Sequence, residues 1–445
     1  MKKIGGFISL FCVLLALSGC RGWLSGPRVI VLKGIDLIDG TGRDIQRNVN
    51  MVIRADTIAA IQAAGDPLPD GARIINGKGR TVIPGLINAH GHLGLLNNDS
   101  ASASHYNKAN IIRQLKKYAS YGVTGVLSLG TDQDLIFALR DSSQKGLLPG
   151  AILYTAGYGF GVTGGVPPVS FGNKIMRPHT PEEAAQDMRA LATLKPDFVK
   201  IWVDNAGQNV PRIAPAVYQA IIQEAHRHGL RVAAHVYYLE DARRLVQSGV
   251  DVLAHSVRDQ EIDDTLVAEM KQKGVFYIPT LSLDKYNLLV TDNPAWINDP
   301  FFRTSLEPNV IERITSETFR EKQRNDSTLP RKKAAFETAK RNVQKLHKAG
   351  ITIVLGTDSG AQPIRAQGFS EHLELQLLTE AGLTPMEAIV AATRNAAKML
   401  GIDKQYGTLE PGKKANFVVL DGNPLQDIQQ THRLDGVWKY GKRIN

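Results

Sequence analysis

Eight short apolar runs, rich in Val, Ile and Leu, divide the middle of this chain, and most are spaced widely enough to hold a helix between them. They fall at about 82–89, 123–129, 151–156, 198–203, 231–235, 252–255, 275–280 and 351–356. Several intervening stretches are amphipathic. In PAVYQAIIQEAHRHG, Pro215 suits a first helical turn and Gly229 a helix stop. Strands alternating with helices signal parallel βα units. Eight such units over some 320 residues predict an α/β chain folded as a closed (β/α)8 barrel, not an open doubly wound sheet. No glycine-rich dinucleotide- or phosphate-binding motif marks any strand end.

Both chain ends read differently. Residues 28–80 and 405–445 alternate apolar and polar positions, with turns at Asp39-Gly40-Thr41-Gly42 and Asn76-Gly77. They predict one composite β-sandwich flanking a barrel at 81–404. Residues 284–348 are too long for an ordinary βα connection and predict a helical insertion. Trp296, Phe301 and Phe302 near its start suggest a lid or pocket wall, with a simple peripheral helical insertion as the alternative.

Six residues stand at or near the carboxyl ends of these runs: His90, His92, Lys200, His235, His255 and Asp358. In a parallel barrel all such ends share the face that carries the active site. Residues two apart in a strand point the same way, so His90 and His92 can face one ion. Lys200 sits in the apolar run FVKIWVD, where an uncompensated ammonium is costly and its pKa should fall. A neutral amine beside a metal reacts with carbon dioxide to form an anionic carbamate ligand. The plainer alternative is an ion pair with a carboxylate such as Asp204. Taken singly, His235 and His255 read equally well as hydrogen-bonded core residues. Asp358 lies in a Gly-Thr-Asp-Ser-Gly turn suited to exposing a carboxylate. Jointly, the set predicts a metal centre.

The two cysteines, Cys12 and Cys20, both lie near the N-terminus, so a metal in the main body needs N and O ligands. Lys2 and Lys3 precede an apolar stretch from residue 4 to 17 that ends in LSGC, the three-part form of an export signal. Leu17-Ser18-Gly19-Cys20 resembles the lipobox of bacterial lipoproteins. It predicts a signal over 1–20, lipidation at Cys20 and a short tether to the body. The protein would then be an exported, membrane-anchored lipoprotein facing the periplasm of a bacterium, with the lipid bilayer as a partner. A fully cleaved secretory signal is the alternative. The 53 basic and 43 acidic residues give a net charge of +10, but the charges are spread, and no nucleic-acid partner is expected. A homo-oligomer is compatible with the chain.

The segments VLKGIDLIDGTG, PGLINAHGHL, VKIW, AHVYY, AHSV, GTDSG, LTPMEAIVAATRNAAKMLGI and GTLEPGKKANFVVLDGNPL, in this order, resemble the amidohydrolase superfamily. Within it they are most similar to the imidazolonepropionase-like and prolidase-like (Xaa-Pro or Xaa-Arg dipeptidase-type) branch. The resemblance implies a (β/α)8 barrel with a β-sandwich from both termini and two divalent metal ions, usually zinc. It implies that His90, His92 and Asp358 hold one ion and His235 and His255 the other. Carboxylated Lys200 and a hydroxide would bridge them. The expected reaction is hydroxide attack on a C–N bond of an amide, cyclic amide or dipeptide-like small molecule. Asp358 would act as general base and then general acid.

Tyr237 is a candidate to hydrogen-bond the tetrahedral intermediate, and Arg258 to anchor a substrate carboxylate. Tyr237 can equally be a packed aromatic at the barrel rim. Two departures from the branch, Ala254-His255-Ser256 and Ala415-Asn416-Phe417, leave the ligands untouched and bear on substrate choice. Three other readings stand beside the hydrolase. One is a single-metal deaminase, disfavoured because Tyr238 stands where such enzymes carry a glutamate. The others are an ester or lactone hydrolase on the same fold and a non-catalytic surface lipoprotein.

Overall fold

The computed structural model describes residues 29–205 and 209–445, so the lipobox and Cys20 lie outside the described residues. Strands from both chain ends hydrogen-bond as one eight-stranded sheet. The ends meet at Thr81–Pro84, which pairs antiparallel with Phe417–Leu420 and parallel with Val29–Leu37. Alternating side chains of these strands bury Leu32, Ile35, Met51, Ile53, Phe417 and Trp438 in a core of their own. The rings of Phe417 and Trp438 stack at 5.3 Å.

The first apolar run is two strands. Thr81–Pro84 belongs to this terminal sheet and Leu86–Gly91 to the barrel, with Gly85 between them. A Cβ on Gly85 would fall 2.2 Å from Thr124 Oγ1, so glycine leaves room for the Thr124 side chain.

The barrel strands form two parallel arcs. Leu86–Gly91, Val123–Ser128 and Ile152–Thr155 make the first. Val199–Trp202, Val232–His235, Val252–Ala254 and Phe276–Ile278 make the second. A bridge from Phe160 to Ile201 joins them on one side. The segment 351–355 fills the other side, bridging Tyr277 through Ile353 and accepting a hydrogen bond from Ala89 N at Leu355 O, 3.0 Å.

This eighth position is not a regular strand, and the reason is local. A π-helical turn, Ala391–Asn395, takes some of its backbone bonds: Leu355 N donates to Ala391 O at 3.1 Å, and Asn395 Nδ2 donates to Ile353 O at 3.0 Å.

The long segment after Phe276–Ile278 folds into helices that end with Leu329–Lys348. Its aromatic start does not hang over the strand ends. Trp296 and Phe302 pack on Phe369 at 5.2 and 4.9 Å, while Phe301 packs on Tyr121 and stacks on His432 at 4.5 Å. Among the described residues none of the three rings pairs with the ring of a candidate histidine. Among the described residues no helix is long and apolar enough to cross a membrane.

Candidate metal centre

Five of the six ligand candidates are buried: His90, His92, Lys200, His255 and Asp358. Ligand atoms of His90, His255 and Asp358 all lie within 4.8 Å of one another. Asp358 Oδ1 is 2.8 Å from His92 Nε2 and 3.3 Å from His90 Nε2. Lys200 Nζ lies 3.4 Å from His90 Nε2, with Trp202 beneath it. The His235 ring packs edge-on to His255 at 4.2 Å, but its Nε2 faces Asp204 Oδ2 at 3.3 Å. The structure therefore gathers all six at one place, with His235 turned toward Asp204 at the rim.

The backbone presents these groups under strain. His255 and Asp358 have φ of 73° and 57°, left-handed values that non-glycine residues avoid. Backbone hydrogen bonds hold them there: His255 N to Ile278 O at 2.8 Å and Asp358 N to His90 O at 2.7 Å.

Electrostatics prepare the donors. Burial, followed by the Lys200 charge, holds His90 well below the usual imidazole range. Burial and the neighbouring His235 do the same to His255. Burial pulls Lys200 down to about 7, although Asp358 and Asp204 oppose it. For Asp358, burial pushes upward, but the Arg365 charge and the hydrogen bonds of His90 and His92 outweigh it and leave the carboxyl ionised. A carboxylate, neutral imidazoles and a partly neutral amine thus share one buried spot, a set of lone pairs suited to divalent cations. His90 Nδ1 is buried without a hydrogen-bond partner. The residues fit a metal centre.

Further residues that sequence reasoning missed hold this set in place. Thr131 Oγ1 meets His92 Nδ1, and Thr280 Oγ1 meets His255 Nδ1, each at 2.8 Å. Such contacts fix ring orientation and leave Nε2 for the centre. Arg365 donates to the outer oxygen of Asp358. Buried Glu371 accepts from Asn88 Nδ2 at 2.6 Å, Thr357 Oγ1 at 2.7 Å and Ser359 Oγ at 2.8 Å, while Asn88 Oδ1 accepts from His90 N at 2.9 Å. One signal for this shell was available: Leu-Gly-Thr-Asp occurs at both 129–132 and 355–358, at two barrel strand ends.

Arg258 is committed elsewhere. Its guanidinium pairs with Asp284 Oδ1 at 2.8 Å, donates to Ser256 O, and lies 5.0 Å from the Tyr237 ring centre. A substrate carboxylate would have to share it with Asp284. Tyr237 is half-buried, just beyond the strand Val232–His235.

A barrel with histidine, lysine and aspartate donors at its strand ends defines a metal-binding hydrolase. The chain belongs to the amidohydrolase family, whose sequence profile matches residues 81–444. It is an enzyme that hydrolyses carbon–nitrogen bonds. It is 28% identical over 452 aligned positions to ochratoxinase of Aspergillus niger, covering 93% of this chain and 86% of that one. It is 24% identical to a 5-methylthioadenosine/S-adenosylhomocysteine deaminase of Caldanaerobacter subterraneus subsp. tengcongensis, covering 88% of this chain and 85% of that one. In fold it is similar to a crystal structure of a Xaa-Pro dipeptidase with bound methionine, with a TM-score of 0.74, 24% identity and coverage of 93% and 99%.

Proposed function

We propose that this amidohydrolase cleaves the amide bond of a small N-acyl amino acid or dipeptide-like molecule at a two-metal centre. His90, His92 and Asp358 would hold one divalent ion, most simply zinc, and His235 and His255 the other, with carboxylated Lys200 between them. When bound, the ions supply a water made acidic enough to attack at neutral pH and polarise the scissile carbonyl.

The observation that carries this reading is Lys200. It is wholly buried, and its amine is drawn down to about 7, so a large fraction is uncharged near neutral pH. The uncharged nitrogen can attack the carbon of carbon dioxide, forming an N–C bond and releasing one proton, which leaves an anionic carbamate. A single-metal site has no need of this group.

The remaining chemistry belongs to Asp358. Ionised at neutral pH, it takes the proton of the attacking water and returns it to the nitrogen of the leaving amine. Thr131 and Thr280 keep the imidazoles of His92 and His255 aimed while this happens. The deaminase alternative needs a proton-carrying glutamate near the fifth strand. The residue there is Tyr238, whose ring lies 4.3 Å from the Arg212 guanidinium and whose hydroxyl bonds Asn205.

The Xaa-Pro dipeptidase, by its name, acts on a dipeptide, which supports a dipeptide-like substrate here. The test is a panel of N-acyl amino acids, dipeptides, cyclic amides, lactones and aminopurines, each scored for its products. An amide substrate that yields an acid and an amine is expected, and Lys200→Ala should lower kcat at least about a hundredfold. Ammonia release from aminopurines alone, or unchanged turnover by Lys200→Ala, would overturn the proposal.

A further inference from the structure

A cavity of about 1010 Å³ touches none of the six ligand candidates. Its walls include Ile30 and Ile75 of the terminal sheet, Trp438, Tyr440, and residues 144–146. Those last residues end the helix Leu135–Gln144 and lead toward the strand Ile152–Thr155. The cavity therefore opens at the amino-terminal end of the barrel, opposite the face that carries the metal centre. Its size is that of a ligand site.

The lining has a sign. Asp56 faces Arg73, Lys145, Lys414, Lys442 and Arg443. Asp56 is already paired with Lys414 at 2.6 Å. Arg443 donates to the main-chain oxygens of Asp435 and Asn445. The exposed side chains of Arg73, Lys145 and Lys442 have no acidic partner within 4.0 Å among the described residues. Beneath this cationic rim lie Trp438 and the half-buried rings of Tyr406 and Tyr440, with 72%-exposed Leu147 beside Gly146 at the edge. Cations outside and aromatic rings inside suit a phosphate-bearing amphiphile at a membrane–water boundary.

A separate observation concerns where the chain enters. The described residues begin at Val29, which pairs with Arg54 beside Ala55, and both Ile30 and Ala55 line the cavity. If Cys20 carries lipid, the tether from Cys20 to Val29 spans at most about 30 Å. The anchor would then keep this face near the bilayer.

We infer that the cavity is a docking site for the headgroups of an anionic phospholipid bilayer. The phosphate sits among Arg73, Lys145, Lys442 and Arg443, and the glycerol region lies against Trp438 and Tyr440. Docked this way, the protein turns its metal centre away from the membrane, toward dissolved substrates. The cationic lining does not depend on the lipid anchor, and protein without the anchor isolates its effect.

The chain from Arg21 onward carries every described strand and helix, so it is the material to sediment with phosphatidylcholine vesicles, with and without phosphatidylglycerol. The expected result is binding to the anionic vesicles at least roughly tenfold stronger than to the neutral ones, weakening with salt. The triple variant Arg73→Glu, Lys145→Glu, Lys442→Glu should lose about a hundredfold, and the milder Arg73→Gln, Lys442→Gln roughly tenfold. Both should keep wild-type metal content and melting temperature. A control triple on the insertion, Lys322→Glu, Lys333→Glu, Lys348→Glu, changes net charge equally and should keep binding. Absence of binding, equal binding to both vesicle types, or equal loss by the control triple would overturn the inference.

Discussion

At the scale of single residues, the centre depends on groups that never touch a metal. Thr280 is the clearest. Its own backbone is left-handed, φ 50°, and its hydroxyl is the hydrogen-bond partner of His255 Nδ1. Thr280→Val keeps the shape and removes that bond, so it should weaken metal affinity by about 10–100-fold. Titration of metal-stripped protein with zinc checks this, and an unchanged affinity would show that His255 needs no such partner.

The ligand candidates were legible in the sequence because each lies in or at the end of an apolar run, where polar residues stand out. Their supports were not. Glu371 in GFSEHLEL reads as an ordinary surface-helix glutamate, yet it is buried and bonded to Asn88, Thr357 and Ser359. Arg365 lies in a loop, where sequence carries no period from which to infer direction. Arg258 reads in sequence as a candidate anchor for a substrate carboxylate and not as the partner of Asp284, because the two meet only when the strands Val252–Ala254 and Phe276–Ile278 pair.

At the scale of elements, the insertion begins at the helix Leu281–Asn287, whose first two N–H groups, Leu281 and Ser282, both donate to buried Glu374, at 2.9 and 2.7 Å. Burial lifts the Glu374 carboxyl to about 7, although these two bonds pull the other way. An acid whose folded pKa lies above its unfolded value, about 4.3, holds its proton longer in the folded state. Its contribution to stability is therefore complete below about pH 4.3 and is lost as pH rises through about 7. Metal-stripped protein should show this as a fall in melting temperature between those limits, and Glu374→Gln should flatten it. An identical slope in the variant would remove Glu374 as the source.

Strand positions were the most legible elements, because short Val/Ile/Leu runs bounded by glycine carry their own signal. The split at Gly85 was not, since one continuous apolar run serves two sheets. Nor was the irregular 351–355 segment, whose backbone partners lie some forty residues later in a π-helical turn. The aromatic start of the insertion suggests a lid or pocket wall, whereas the rings it packs on, Tyr121, Phe369 and His432, come together only through tertiary contact.

At the scale of the whole molecule, two faces of one barrel have different chemistry. The carboxyl-terminal face gathers nitrogen donors around the Asp358 carboxylate, with Asp204 at the rim, and the amino-terminal face carries exposed cations around an aromatic cavity. The candidate metal centre assembles from five barrel strand ends between residues 90 and 358, so it exists only when these strands come together. That is why no one motif identified it and the ordered set did.

The most direct test of the account is the metal content of the purified chain from Arg21 onward, measured by elemental analysis alongside Lys200→Ala. The account predicts close to two divalent ions per chain, falling toward one when Lys200 is removed. A single ion in the unaltered protein, or two that persist without Lys200, would contradict it.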